Sequence, residues 1–256
     1  ALGVISVVKN TRKSLPARNL RNFFLAFRSS MPLIVFGVLR FALTWLVAYH
    51  AHVSEYGVHW NFFFTMFVVT FCSFFVNIPP QNALKIAIIL AVVYQLALDL
   101  VATEYVLHTP RIRGNIISEN KEGLISCVGY FICYTIGQFV GWHVSKERRR
   151  KKHVLQFMVV LCMVQVVVIC LCYFMHNYVE QASRRLANVA YILFVLGCNL
   201  WIIILFLGAS LVLFYRTESV LLQAVNENQL FCFLFANLLT GVINMLFKTL
   251  FATPFV

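Results

Sequence analysis

The chain has 256 residues, of which 61% are apolar and only 12% charged, and its mean hydropathy is +0.82. A soluble domain is usually about half apolar and a quarter charged, so an ordinary water-soluble enzyme, a disordered chain and a disulfide scaffold are excluded. The formal charge of +12 sits largely in two basic blocks beside apolar runs, which fits a membrane face and argues against nucleic acid as a partner.

A helix needs roughly 20 apolar residues to cross a bilayer. The unbroken apolar runs predict about seven spans, at 31–49, 59–76, 84–102, 124–143, 154–175, 189–215 and 229–251. The expected fold class is all-α, a polytopic helical membrane protein. The strands of a transmembrane barrel would alternate over about 10 residues, and these runs do not. Ahead of the spans, residues 1–30 read as a basic cytoplasmic arm or loop carrying Lys9, Arg12, Lys13, Arg18, Arg21 and Arg28. Residues 31–256 read as one multi-span membrane domain. Pro79-Pro80 breaks the chain after the second span, and Pro110 with Gly114 marks the loop before the fourth. The second basic block, 146–152, follows the fourth span. Because Lys and Arg gather on the cytoplasmic side, the arm is placed there, and the connections after the first, third and fifth spans fall on the opposite side. All eight cysteines lie inside apolar runs with no CxxC pair, which reads as small buried residues and not as disulfides or zinc ligands. The chain begins with Ala1 and lacks a signal-peptide core, so a segment of a longer protein is expected.

The three non-cytoplasmic connections hold the polar chemistry. The first carries His50, His52, Glu55, Tyr56, Gly57, His59, Trp60 and Asn61, with no basic residue. Histidine exchanges protons near neutral pH, and a neighbouring carboxylate can fix its tautomer. The three histidines have no helical metal-ligand spacing, so no metal is expected. The second connection leads through Glu119, Asn120, Lys121, Glu122 and Gly123 into the fourth span. The third carries Arg184 and Arg185 against the charge rule, and a guanidinium fork suits phosphate. In the last span Asn237, Thr240 and Asn244 share one helical face, a stripe expected to avoid lipid.

The run His52-Val53-Ser54-Glu55-Tyr56-Gly57-Val58-His59-Trp60-Asn61-Phe62-Phe63-Phe64-Thr65 resembles the signature of the inositol acyltransferases of glycosylphosphatidylinositol (GPI) anchor biosynthesis, called phosphatidylinositol-glycan class W in animals. Further similar segments follow in order: Asn120-Lys121-Glu122-Gly123 with Gly129-Tyr130, Ser183-Arg184-Arg185-Leu186-Ala187-Asn188 with Tyr191, and Ala236-Asn237-Leu238-Leu239-Thr240-Gly241 with Asn244. The resemblance implies a multi-pass protein of the endoplasmic-reticulum membrane with its signature loops in the lumen, and this chain as its carboxy-terminal portion. It implies transfer of a fatty acyl group, palmitoyl by expectation, from acyl-CoA as co-substrate to the inositol ring of glucosaminyl-phosphatidylinositol, with no bound cofactor. By itself the chain is expected to be inactive.

Esterifying a hydroxyl needs a base and donors for the thioester oxyanion. No serine-nucleophile elbow is present, so direct transfer is expected. His59 is the candidate base, with Glu55 orienting it or acting in its place. Arg184 and Arg185 are candidates for the substrate phosphate. Asn120, Glu122 and Asn188 are candidates for sugar or inositol hydroxyls, and Tyr56, Trp60, Asn61, Asn237 and Asn244 complete the expected binding residues. Two other readings are a secondary transporter, which would use the same intramembrane polar residues as a pathway, and a non-catalytic membrane subunit packed through small-residue faces such as Gly197 and Gly208.

Overall fold

The computed structural model describes residues 20–46, 56–76, 78–146, 151–212 and 219–246. A helix satisfies its own backbone groups where no water can reach them, and the long apolar runs accordingly become helices. In chain order these are α1 (Leu20–Leu46), α2 (Phe62–Val76), α3 (Ala83–Leu107), the short α4 (Ile116–Glu119), α5 (Lys121–Val144), α6 (Lys151–Tyr178), α7 (Val189–Val212), α8 (Val220–Glu227) and α9 (Gln229–Leu246). No strand occurs among the described residues. Helices α3, α5, α6 and α7 are long and apolar enough to cross a bilayer, and α2 and much of α9 are shorter apolar helices. The chain is a polytopic helical membrane protein, and the seven expected spans fall on α1, α2, α3, α5, α6, α7 and α9. Four elements run past their expected limits: α1 starts at Leu20, within the basic arm, α3 continues to Leu107, α5 starts at Lys121, and α6 spans Lys151–Tyr178.

Residues Ala1–Gly208 and Ala209–Val256 form two compact units. In the first, α1 packs on α2, and both α2 and α3 pack on α5. Rings join α1 to α2: Phe23 meets Phe71 at 5.6 Å between centroids, and Phe27 meets Phe67 at 6.3 Å. A core of Ala87, Tyr94 and Leu98 from α3, Ile132 from α5 and Ile192 from α7 closes around Leu186, which is 0% exposed. A second core, Leu161, Val168, Leu200 and Ile204, joins α6 to α7. In the second unit, Asn237 and Thr240 on α9 are exposed, and each bonds back to its own helix, at Phe233 O and Ala236 O. Asn244 has its backbone in α9, and its side chain lies outside the described residues.

Helix α3 carries a π turn at Leu98–Ala102. Residues eight apart on an α-helix point about 80° away from each other, and absorbing one residue in a π turn brings them to within about 20°. That re-phasing lets Gln95 and Thr103 both reach Glu180, at 3.0 Å each. Asn188 donates to the same carboxylate at 3.0 Å, and its oxygen accepts from Ser183 N and Tyr191 N, which caps α7. The connection from α6 to α7 is therefore pinned at its base by neutral donors on one carboxylate.

The tip of that connection is held by shape. Ala187 takes φ 48° and is fully buried, and the Tyr94 hydroxyl donates to the carbonyls of Leu186 and Ile125 at 2.5 and 3.1 Å. Gly129 on α5 lies directly beneath: a Cβ there would stand 2.1 Å from Ala187 O. Gly129→Ala must therefore push α5 and the connection apart. The expected loss is about 1–3 kcal/mol, the usual range for overpacking, read as a lower thermal midpoint of the intact gene product in detergent. An unchanged midpoint would contradict the close approach.

Candidate functional site

Alternate connections of an up-and-down helical chain lie at the same end, and three of them meet here. They are the residues before α2, the α3–α5 segment containing α4, and the α6–α7 connection. The first is fastened to the second by backbone. Val58 N donates to Glu119 O at 3.0 Å, His59 N to Asn120 Oδ1 at 2.8 Å, and Gly123 N to Tyr56 O at 3.0 Å. The last bond satisfies one of the N–H groups that the first turn of α5 would otherwise leave without a partner. Gly57 makes the approach possible. Its φ of +114° suits glycine, and a Cβ would stand 2.6 Å from Asn120 Cα.

Each expected residue has a definite place. The His59 side chain is 48% exposed, and its Nε2 lies 3.3 Å from Glu119 Oε2. Glu119 is fixed in turn by Gly114 N, which donates to its Oε1 at 3.0 Å. A carboxylate facing Nε2 favours the tautomer that carries its proton there and leaves the lone pair on Nδ1. Phe41 meets the ring edge-on at 5.5 Å. Glu55, expected as the partner of His59, lies outside the described residues, as do His50 and His52. Trp60 Nε1 donates to Thr65 Oγ1 at 2.9 Å, and Asn61 is buried, donating to Gly37 O at 2.9 Å and accepting from Phe63 N. Asn120 is buried and bridges His59 N to Ile116 O. Asn188 is buried at the foot of α7. The amides of Asn61, Asn120 and Asn188 thus hold backbone in place. Asn237 and Asn244 belong to the second unit.

Arg184 is exposed, lies over the Tyr56 ring at 5.4 Å and donates to its hydroxyl at 2.8 Å. Below them, Tyr56 packs against Phe62, Phe62 against Tyr130, and Tyr130 against Tyr191, with centroids 5.9–6.4 Å apart. Glu122, at 0% exposure, is the most deeply placed ionisable group of the site. Its Oε1 receives Arg111 at 2.6 Å and Arg185 at 3.4 Å. Beside it the ammonium of Lys121, also buried, donates to the carbonyls of Tyr105 and Thr109. Among the described residues, no group of three or more His, Cys, Asp or Glu side chains is arranged to hold a metal ion.

Reading by spacing missed Glu119 and Arg111. The carboxylate beside His59 comes from the end of α4, about 60 residues away, which no local pattern reveals. Arg111 did leave a signal: like Arg184 and Arg185, it is a cation in a connection expected on the non-cytoplasmic side, where the charge rule expects few.

A helical membrane bundle whose connections converge on an exposed histidine–carboxylate pair beside two guanidiniums on a buried carboxylate is the class defined by fold and site. The chain belongs to the GWT1 family, which it matches over residues 1–256. It is 37% identical to the phosphatidylinositol-glycan biosynthesis class W protein of Dictyostelium discoideum, over 88% of this chain and 46% of that protein. It is 34% identical to GPI-anchored wall transfer protein 1 of Gibberella zeae, over 90% of this chain and 52% of that protein. It is 28% identical to the human glucosaminyl-phosphatidylinositol-acyltransferase PIGW, over 93% of this chain and 56% of that protein. The chain spans about half the length of the curated relatives it matches.

Removing one partner of a buried ionic cluster leaves the others uncompensated. Glu122→Ala is expected to cost about 3–5 kcal/mol, measured by thermal unfolding in detergent. The triple variant Arg111→Met, Glu122→Leu, Arg185→Met should regain most of that loss. A Glu122→Ala protein as stable as the wild type would contradict the arrangement.

Proposed function

We propose that this chain is part of an O-acyltransferase that moves a fatty acyl group from acyl-CoA to the inositol ring of glucosaminyl-phosphatidylinositol. The substrate is taken from the name of the human relative. The observation that carries the chemistry is the exposed His59–Glu119 pair, at the end where the family's polar segments meet. The protein works in the endoplasmic-reticulum membrane, with this end in the lumen, and acyl-CoA is its co-substrate.

In this reading Glu119 holds the Nε2 proton of His59, and Nδ1 takes the proton from an inositol hydroxyl. The hydroxyl oxygen attacks the thioester carbonyl, the carbon–sulfur bond breaks, and His59 returns the proton to the departing thiolate. The products are an inositol ester and free CoA. Transfer is direct, because the cysteines lie within apolar helices, where a thiolate is disfavoured. Arg184, stacked on Tyr56, and Arg185 receive the phosphate of the lipid. Asn61, Asn120, Asn188 and Trp60 form the platform that keeps these groups in position.

The test uses microsomes from cells lacking their own inositol acyltransferase, the intact gene product, acyl-CoA and radiolabelled glucosaminyl-phosphatidylinositol. Loss of a general base costs about 10²–10⁴-fold, so His59→Ala should lose at least about 100-fold in acylated product. Glu119→Gln, which removes only the orienting carboxylate, should lose about 10–100-fold. Wild-type product from His59→Ala would move the base elsewhere. No product from well-expressed wild type would sink the acyltransferase reading.

A further inference from the structure

We propose that the groove between α6 and α7 seats a further membrane helix of the same gene product, and that this helix brings a hydroxyl or carboxamide side chain to Gln165. The inference goes beyond the acyl-transfer reading and does not depend on it.

The seam between α6 and α7 is apolar except at one position. On α6, Leu161, Gln165 and Val168 recur at helical spacing and are all buried. Leu161 and Val168 join Leu200 and Ile204 of α7 in one core. A leucine at 165 would extend that core. The chain instead places a carboxamide there, midway along Lys151–Tyr178, where a bilayer-crossing helix is farthest from water. Gln165 is 3% exposed, and its Oε1 is shielded with no hydrogen-bond partner among the described residues. An unpaired amide is costly in an apolar medium, and inside a membrane no water is at hand to relieve it.

The amide also borders open space. It lines a groove of about 360 Å³ whose other walls include Val168, Ile169 and Cys172 of α6 and Leu193, Phe194 and Trp201 of α7. Gly197 faces it across the groove: a Cβ there would stand 3.5 Å from Gln165 Nε2 and 3.6 Å from Val168 Cγ1. Those are ordinary contacts, so a gap at least a methyl group wide lies beside the amide. Phe194 and Trp201 are 56% and 50% exposed, and they leave an apolar rim around it. Membrane helices pack through small residues and join through amide or hydroxyl side chains, and this groove offers both.

The chemistry of the amide selects the occupant. A hydrocarbon chain has no donor and would leave the oxygen as it stands. A helix bearing Ser, Thr, Asn or Gln would satisfy it, and the broad terminal torsion of glutamine lets the amide turn to meet either a donor or an acceptor. The length of the relatives indicates where that helix comes from. The chain covers 46%, 56% and 52% of three of them, so a protein of their length has about as many residues again to pack on this bundle.

The experiment places photoreactive benzoyl-phenylalanine at the position of Trp201 in the intact gene product, irradiates native membranes and maps the adduct by mass spectrometry. The expected adduct lies within one copy and joins position 201 to an apolar helix outside these 256 residues that carries Ser, Thr, Asn or Gln. The same probe at Val167, on the opposite side of α6, should yield that peptide about 10-fold less often. An adduct to a second copy, to lipid or to any other target overturns the proposal, as does an equal yield from position 167. Gln165→Leu gives an independent reading, because it keeps the size and removes the amide. With a partner across the groove, the thermal midpoint of the intact gene product should fall by about 1–2 °C. An unchanged or higher midpoint, as expected on deleting an unpaired buried amide, overturns the proposal. If Gln165→Leu does not fold, Gln165→Met, unbranched and adaptable, takes its place with the same expectation.

Discussion

An ionised carboxylate with no access to water is tolerable only where positive charge and hydrogen bonds replace its hydration. Glu122 is such a group, and its two guanidinium partners come from different connections of the bundle. Arg111 can reach it only if the segment before α4 folds back over the start of α5. Arg185 can reach it only if the α6–α7 connection leans inward. The first connection is then fastened to the same helix start through Tyr56, Val58 and His59. One buried charge thereby fixes the relative positions of three chain segments that the sequence separates widely.

A second carboxylate, Glu180, does a different job at the same end. Its donors, Gln95, Thr103 and Asn188, are all neutral, and it anchors the foot of the α6–α7 connection. The π turn of α3 is what brings two of those donors into line. Leu186 is then drawn into the core, with its carbonyl on Tyr94, and Gly129 leaves room for the tip. Because Leu186 is inward, the two arginines before it are carried to the rim: Arg184 over Tyr56, Arg185 towards Glu122. The apolar core thus decides where the cations stand.

The spans were legible because hydropathy over about 20 residues reports a bilayer-crossing helix directly. Gly57 as a turn residue was legible too, and it takes a positive φ. Polar side chains were harder to assign, because a buried asparagine serving backbone has the same appearance in a sequence as one serving a ligand. Asn61, Asn120 and Asn188 all hold backbone groups. Spacing directed attention from His59 to Glu55, four residues away and outside the described residues, and gave no hint of Glu119, which lies 3.3 Å from the ring. Sequence distance carries no information about a pairing made by tertiary folding. The π turn was invisible for a similar reason: nothing in 98–102 breaks a helix, and the extra residue is accommodated through contacts with Glu180.

Glu122 makes Arg111 and Arg185 a single unit, on which the proposed acyl transfer depends. A double-mutant cycle on kcat/KM for glucosaminyl-phosphatidylinositol, using Arg111→Gln, Arg185→Gln and the pair, tests it most directly. Residues sharing a partner couple by about 0.5–3 kcal/mol. The double variant should therefore lose less than the product of the single losses, by about 5-fold or more at a coupling near 1 kcal/mol. Strictly multiplicative losses would mean that the two arginines act independently, and would contradict the account.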